Sequence, residues 1–129
     1  MNQLYQPLTA EGAALKEYWR PCVDWSRRLQ DLRDEIMDVE GRAEEVPLRE
    51  EQRKVGAELE TLRAEVRERI AATPTLTSNE RRILRLRYLC ADPWEAIALQ
   101  VGRETSAVYT ADRKALNKAA LATPLPQVS

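Results

Sequence analysis

From Leu15 to Ala43 the apolar residues return at alternating steps of three and four: Leu15, Tyr18, Cys22, Trp25, Leu29, Leu32, Ile36, Val39 and Ala43. A repeat of 3.5 residues keeps one stripe on one side of an α-helix, so this segment must lay that stripe against another helix. Trp19 and Met37 widen the stripe. Pro21 interrupts it, either in the first turn of a restarted helix or as a kink within a longer one. The segment GRAEEVP at 41–47 breaks the pattern, and a second seam follows through Leu48, Gln52, Val55, Leu59, Leu62, Val66 and Ile70. Two long seamed helices around a short break predict an antiparallel hairpin. Such a hairpin has a thin core, which needs either the rest of the chain or a second copy to cover it. This half reads as a stalk or dimerisation element, with a groove for a partner helix as the alternative. Trp19 and Trp25 read as packing residues.

The composition agrees with helices. Hydrophobic residues make up 43% and charged residues 32%, with only 4 glycines among 129 residues. Histidine is absent, which removes the commonest general base and the commonest metal ligand. There is no P-loop or GxGxxG, and no catalytic carboxylate pair stands out, so neither an enzyme nor a cofactor is expected. Cys22 and Cys90 show no CxxC spacing and fit a reducing cytosol, with Cys90 expected to be a small buried side chain. No apolar run approaches the ~18 residues of a membrane span, and the first residues lack a secretory signal pattern. A cytoplasmic protein is therefore expected.

Charge is divided along the chain. Residues 1–72 hold 12 Lys and Arg against 16 Asp and Glu, a net of −4, whereas residues 73–129 hold 8 against 5, a net of +3. The segment AATPTLTSNE marks the joint, because Pro74 pushes the residue before it out of the helical region. Thr77 and Glu80 have capping-box spacing. The chain thus divides into a hairpin at 1–72, a second unit at 73–120 and a flexible tail at 121–129.

The second unit reads as three helices. The first runs over 78–89 and presents Ile83, Leu84, Leu86 and Leu89. Asp92 is placed as the N-cap of the second, with Pro93 at its first position, and Trp94, Ile97, Ala98 and Val101 form its apolar face. Gly102 ends it where a left-handed residue is needed. The third helix covers about 105–119, with Val108, Ala111, Ala115 and Leu116 turned inward. Its other side carries Thr105, Ser106, Tyr109, Thr110, Arg113 and Asn117. Two helices joined by a glycine-containing turn match a helix-turn-helix, in which that polar face enters the major groove. A three-helix cap on the coiled coil would show the same spacing.

The stretch LTSNERRILRLRYLCADPWEAIALQVGRETSAVYTADRKALNKA resembles the C-terminal promoter-reading domain of bacterial sigma factors, over about 75–120. The anchors are LTSNERRILRLRY, WEAIA, VG, SAVY and KAL, in order and at matching spacing. The chain as a whole is similar to small phage-encoded regulators, which join a helical hairpin to such a domain. The resemblance implies an all-α fold and a sequence-specific regulator that binds double-stranded DNA. It implies base reading by Thr105, Ser106, Tyr109, Thr110 and Arg113, and phosphate contacts by Arg103, Lys114, Lys118, Arg81 and Arg82. Glu104 stands where the family has a small hydroxyl residue, and the reading helix lacks the arginines that sigma factors often present. No counterpart of the promoter-melting region is recognisable, so a complete sigma factor is not expected. A homodimer through the hairpin, or contact with RNA polymerase, would supply the missing affinity. Two other readings are a protein-interaction module that binds polymerase with an idle DNA face, and a small terminase-like packaging subunit.

Overall fold

A computed structural model describes residues 7–122, and these are helical with no strand. Helix α1 spans Ala10–Asp38, α2 spans Glu45–Ala71, α3 spans Ser78–Leu84, α4 spans Trp94–Val101 and α5 spans Thr105–Ala122. Helix α3 runs directly into one π-helical turn at Arg85–Leu89. None of these helices is long and apolar enough to cross a membrane.

The hairpin forms as the seams require. Thr9 caps α1 by accepting from the Gly12 amide at 2.9 Å. Pro21 lies inside one continuous helix and not at a restart. It has no N–H to give the Glu17 carbonyl, and the packed stripe on either side of it holds the helix together. Pro47 falls in the first turn of α2, where its amide would have had no partner anyway. Leu15, Cys22, Leu32 and Ile36 of the first seam are buried, as are Leu59, Leu62, Val66 and Ile70 of the second. Trp19 widens the stripe and is fully buried, but Met37 does not, being 74% exposed. Ala43 lies in the exposed connection after α1 ends. Toward the tip Leu48, Gln52 and Val55 are only half-buried, so the hairpin is thinnest there.

At its base the hairpin is covered by the rest of the chain. The main core joins Leu15, Trp19, Cys22, Leu59, Val66 and Ile70 to Leu76, Leu84, Tyr88, Leu116 and Ala119. The Trp19 and Tyr88 rings meet at 5.2 Å between centroids. Arg69 is 3% exposed and donates to Glu65 and to the Ala119 carbonyl, tying α2 to α5. The boundary drawn at residue 73 therefore does not separate two cores. A smaller cluster of Ile83, Ile97, Ala98 and Val108 holds α3, α4 and α5 together.

Several local expectations need correction. The helix expected over 78–89 is α-helical only to Leu84. The turn that follows closes through bonds such as Cys90 N–H to the Arg85 carbonyl at 3.1 Å, five residues back. That extra residue lets Tyr88 enter the hairpin core. Cys90 is exposed, because the chain leaves the helix there, with Ala91 in the left-handed region at φ 57°. Asp92 does not cap α4. Pro93 occupies that position with no side-chain bond, and the Asp92 carboxylate accepts from Gln100 at 3.0 Å. Of the tail expected at 121–129, Leu121 and Ala122 belong to α5, and residues 123–129 lie outside the described residues.

Candidate nucleic-acid interface

The Thr77–Glu80 capping box is formed, with both reciprocal bonds present. Gly102 adopts φ 69° and ψ 37° and closes α4, so the chain turns sharply through Arg103 and Glu104 into α5. The Glu104 carbonyl accepts from Val108, and α5 begins at Thr105. Val108 packs on Ile97 and Ala98, while Ala111 flanks the same cluster. The α4–turn–α5 unit is thus fixed by its own small core.

Ser106 is exposed on the first turn of α5, and Thr105 beside it is half-buried. The Thr110 hydroxyl donates to the Ser106 carbonyl at 3.1 Å and accepts from Arg113 at 3.3 Å. This places Arg113 across the face carrying Ser106 and Thr110. Lys114 is half-buried and Arg103 is exposed in the turn. Tyr109 is 40% exposed and meets Trp94 edge-on, with centroids 5.0 Å apart. The Arg87 guanidinium lies 4.3 Å over the Trp94 ring.

The remaining predicted residues are placed elsewhere. The Lys118 ammonium bonds Glu80 at 2.7 Å and the Thr75 carbonyl at 3.2 Å, which makes it a tie between α5 and the start of α3. Lys118 is twelve residues beyond Ser106, about 18 Å along the helix axis. Arg81 and Arg82 follow Glu80 on α3 and so lie toward that same distant end. Asn117, which the spacing puts on the outward face, instead bonds the Thr9 amide at 2.8 Å and the Pro7 carbonyl at 3.1 Å. It anchors the start of α1 to α5. Gly12 makes this approach possible, because a Cβ there would strike the Asn117 carboxamide.

Beside the first half of α5 the helices part, leaving a cleft of about 550 Å³ between α5, α1 and the π turn. Its basic lining residues are Lys16, Arg20 and Arg27 of α1, with Arg87 and Arg113. Glu17, Asp24 and Asp112 are its acids. Asp112 is 2% exposed and takes the Tyr88 hydroxyl at 3.4 Å. Burial pushes its carboxyl up to about 6, against the pull of Lys16, Tyr88, Arg87 and Arg113. Burial likewise holds the Arg87 guanidinium below its ordinary value, and the nearby Arg27 charge adds to this. The three α1 cations were legible as a stripe, since steps of four and seven put them on one face of a helix. Nothing local showed that this face lines α5.

Among the described residues no group of three or more His, Cys, Asp or Glu could hold a metal ion. No family model, curated protein or solved structure matches the chain.

Proposed function

We propose that this protein is a sequence-specific DNA-binding transcriptional regulator that inserts the first half of α5 into the major groove. The observation that carries this reading is the α4–Gly102–α5 corner, whose second helix leaves Ser106, Thr110, Arg113 and Lys114 on a side not used by its core. Short hydroxyl side chains let the helix approach base edges, and Arg113 can reach a guanine or a phosphate. The sigma-like sequence anchors support the same reading, as does the +3 charge of this half. The hairpin would join two copies, so that two weakly basic reading helices act on two half-sites. Its tip supports this by leaving Met37 and Val46 exposed at 74% and 72%.

The test is enrichment from fragments of the encoding genome at about 100 mM salt, with light scattering to give the assembly. One enriched fragment, lost as salt rises, is the expected outcome. Tyr109→Ala with Arg113→Ala should abolish that enrichment and leave the helical content intact. Survival of specific binding in the double variant would mean that another face reads DNA.

One observation favours a second reading, a protein-binding module. A groove of about 640 Å³ between α1 and α2 has Tyr18, Trp25 and Leu62 in its lining and Glu58 and Glu68 among its charged residues. A clean dimer that enriches no DNA, yet retains RNA polymerase after nuclease treatment, would move the assignment there.

A further inference from the structure

The charge pattern of the hairpin is uneven in a way that bears on α5. Every Arg and Lys of α2 has a glutamate within ion-pair distance: Arg49 with Glu45, Arg53 and Lys54 with Glu50, Arg63 and Arg67 with Glu60, and Arg69 with Glu65. The cleft side of α1 differs. Lys16 and Arg27 are exposed and form no ion pair among the described residues. Arg20 meets only Glu17, at 3.2 Å, with both side chains largely in solvent, where such a pair adds little. These three cations flank the open half of α5, next to Arg87 and Arg113. Five cations face Glu17, Asp24 and the buried Asp112, so the cleft keeps an excess of positive charge that a bound anion would balance.

We propose that this cleft seats the sugar-phosphate strand bordering the major groove that α5 enters, with Lys16, Arg20 and Arg27 as phosphate contacts. The inference rests on the DNA-binding reading and extends it: the hairpin itself holds DNA. It also accounts for a reading helix with few basic side chains, because the neighbouring helix supplies the charge. A strand of DNA suits the site because the cations are spread over three turns of one helix, a row about 16 Å long. Successive phosphates along a strand fit such a row.

The test compares three proteins on the enriched fragment: wild type, the triple variant Lys16→Gln/Arg20→Gln/Arg27→Gln, and Arg33→Gln/Arg42→Gln, which removes exposed cations from the distal part of the hairpin. Affinity is measured by anisotropy against salt concentration, and phosphates are mapped by ethylation interference. Each phosphate contact contributes about 0.9 to the slope of log affinity against log salt. The triple variant should therefore lose about 2–3 from the slope and bind more than tenfold more weakly at about 100 mM salt. Its interference signal at flanking phosphates should vanish while the bound sequence stays the same. The distal variant should keep the wild-type slope. An unchanged slope in the triple variant, or an equal loss in the distal variant, overturns the clamp and leaves base reading by α5 standing. A wild-type protein that enriches no fragment removes both.

Discussion

Replacing Asp112 with Asn separates the charge of this side chain from its shape. The carboxyl is 2% exposed in the middle of α5, and its pKa is about 6 against 3.8 for the unperturbed group. Desolvation is the main cause, opposed by Lys16, the Tyr88 hydroxyl, Arg87 and Arg113. A folded-state pKa above the unfolded one means that the folded chain binds this proton more tightly. Between about pH 4 and 6 the folded state then carries more protons, and stability falls as pH rises. The shift of about two units corresponds to a penalty of about 3 kcal/mol once Asp112 is fully ionised. Asparagine fits the same space, keeps a partner for Tyr88 and carries no charge at any pH. The gain from Asp112→Asn should therefore be smallest below about pH 4 and grow by about 3 kcal/mol up to pH 8. Urea unfolding followed by circular dichroism at several pH values reads this directly, as a midpoint advantage growing on the order of 1–2 M. All other titrating groups are common to both proteins and cancel in the difference. A stability difference that is flat with pH, or that shrinks as pH rises, would refute the assignment of Asp112 as a desolvated acid.

Glu80 should show the opposite pH dependence. Burial raises its pKa, but the Lys118 ammonium and the Thr77 amide outweigh that and hold it below the ordinary carboxylate value. Its contribution is therefore present above the unfolded pKa of 4.5 and lost as pH falls through the lower folded value. Glu80→Gln should cost about 1–2 kcal/mol at pH 7, with the deficit fading toward pH 3 in the same unfolding assay. Gly12→Ala should lower the melting temperature, because the methyl group displaces Asn117 and meets Thr9 Oγ1 at 3.1 Å. A loss of about 1–2 kcal/mol is expected from the clash, although Ala is the better helix former by about 1 kcal/mol. Ala91→Gly should stabilise by about 0.5–1 kcal/mol, since an L-residue at φ 57° carries a steric cost that glycine does not. An unchanged urea midpoint would show that this turn is unstrained.

Much of the architecture was written locally. The seams through Leu15–Ile36 and Leu59–Ile70, the Thr77–Glu80 box and the Gly102 turn each depend on neighbours within a few residues, so periodicity and capping chemistry specify them. The hairpin and the helix-turn-helix corner were therefore readable before any tertiary contact was known. Position along the seam did not reveal how deep each residue would lie. Val39 and Leu15 obey the same repeat, yet one is half-buried and the other fully buried, because only the base of the hairpin is covered by α5 and the π turn. The partners of polar side chains were equally hidden. Asn117 and Lys118 share the polar composition of the outward face of α5, but the ends of α1 and α3 arrive beside them and take up their bonds. The cleft is the clearest case. Lys16, Arg20 and Arg27 formed a visible stripe, and only the packing of α1 along α5 brought that stripe beside Arg113 and around a buried Asp112. Periodicity fixes which side of a helix is apolar through contacts a few residues away, whereas the neighbour of a charged face depends on residues nearly a hundred positions distant, and that is decided only when the core closes.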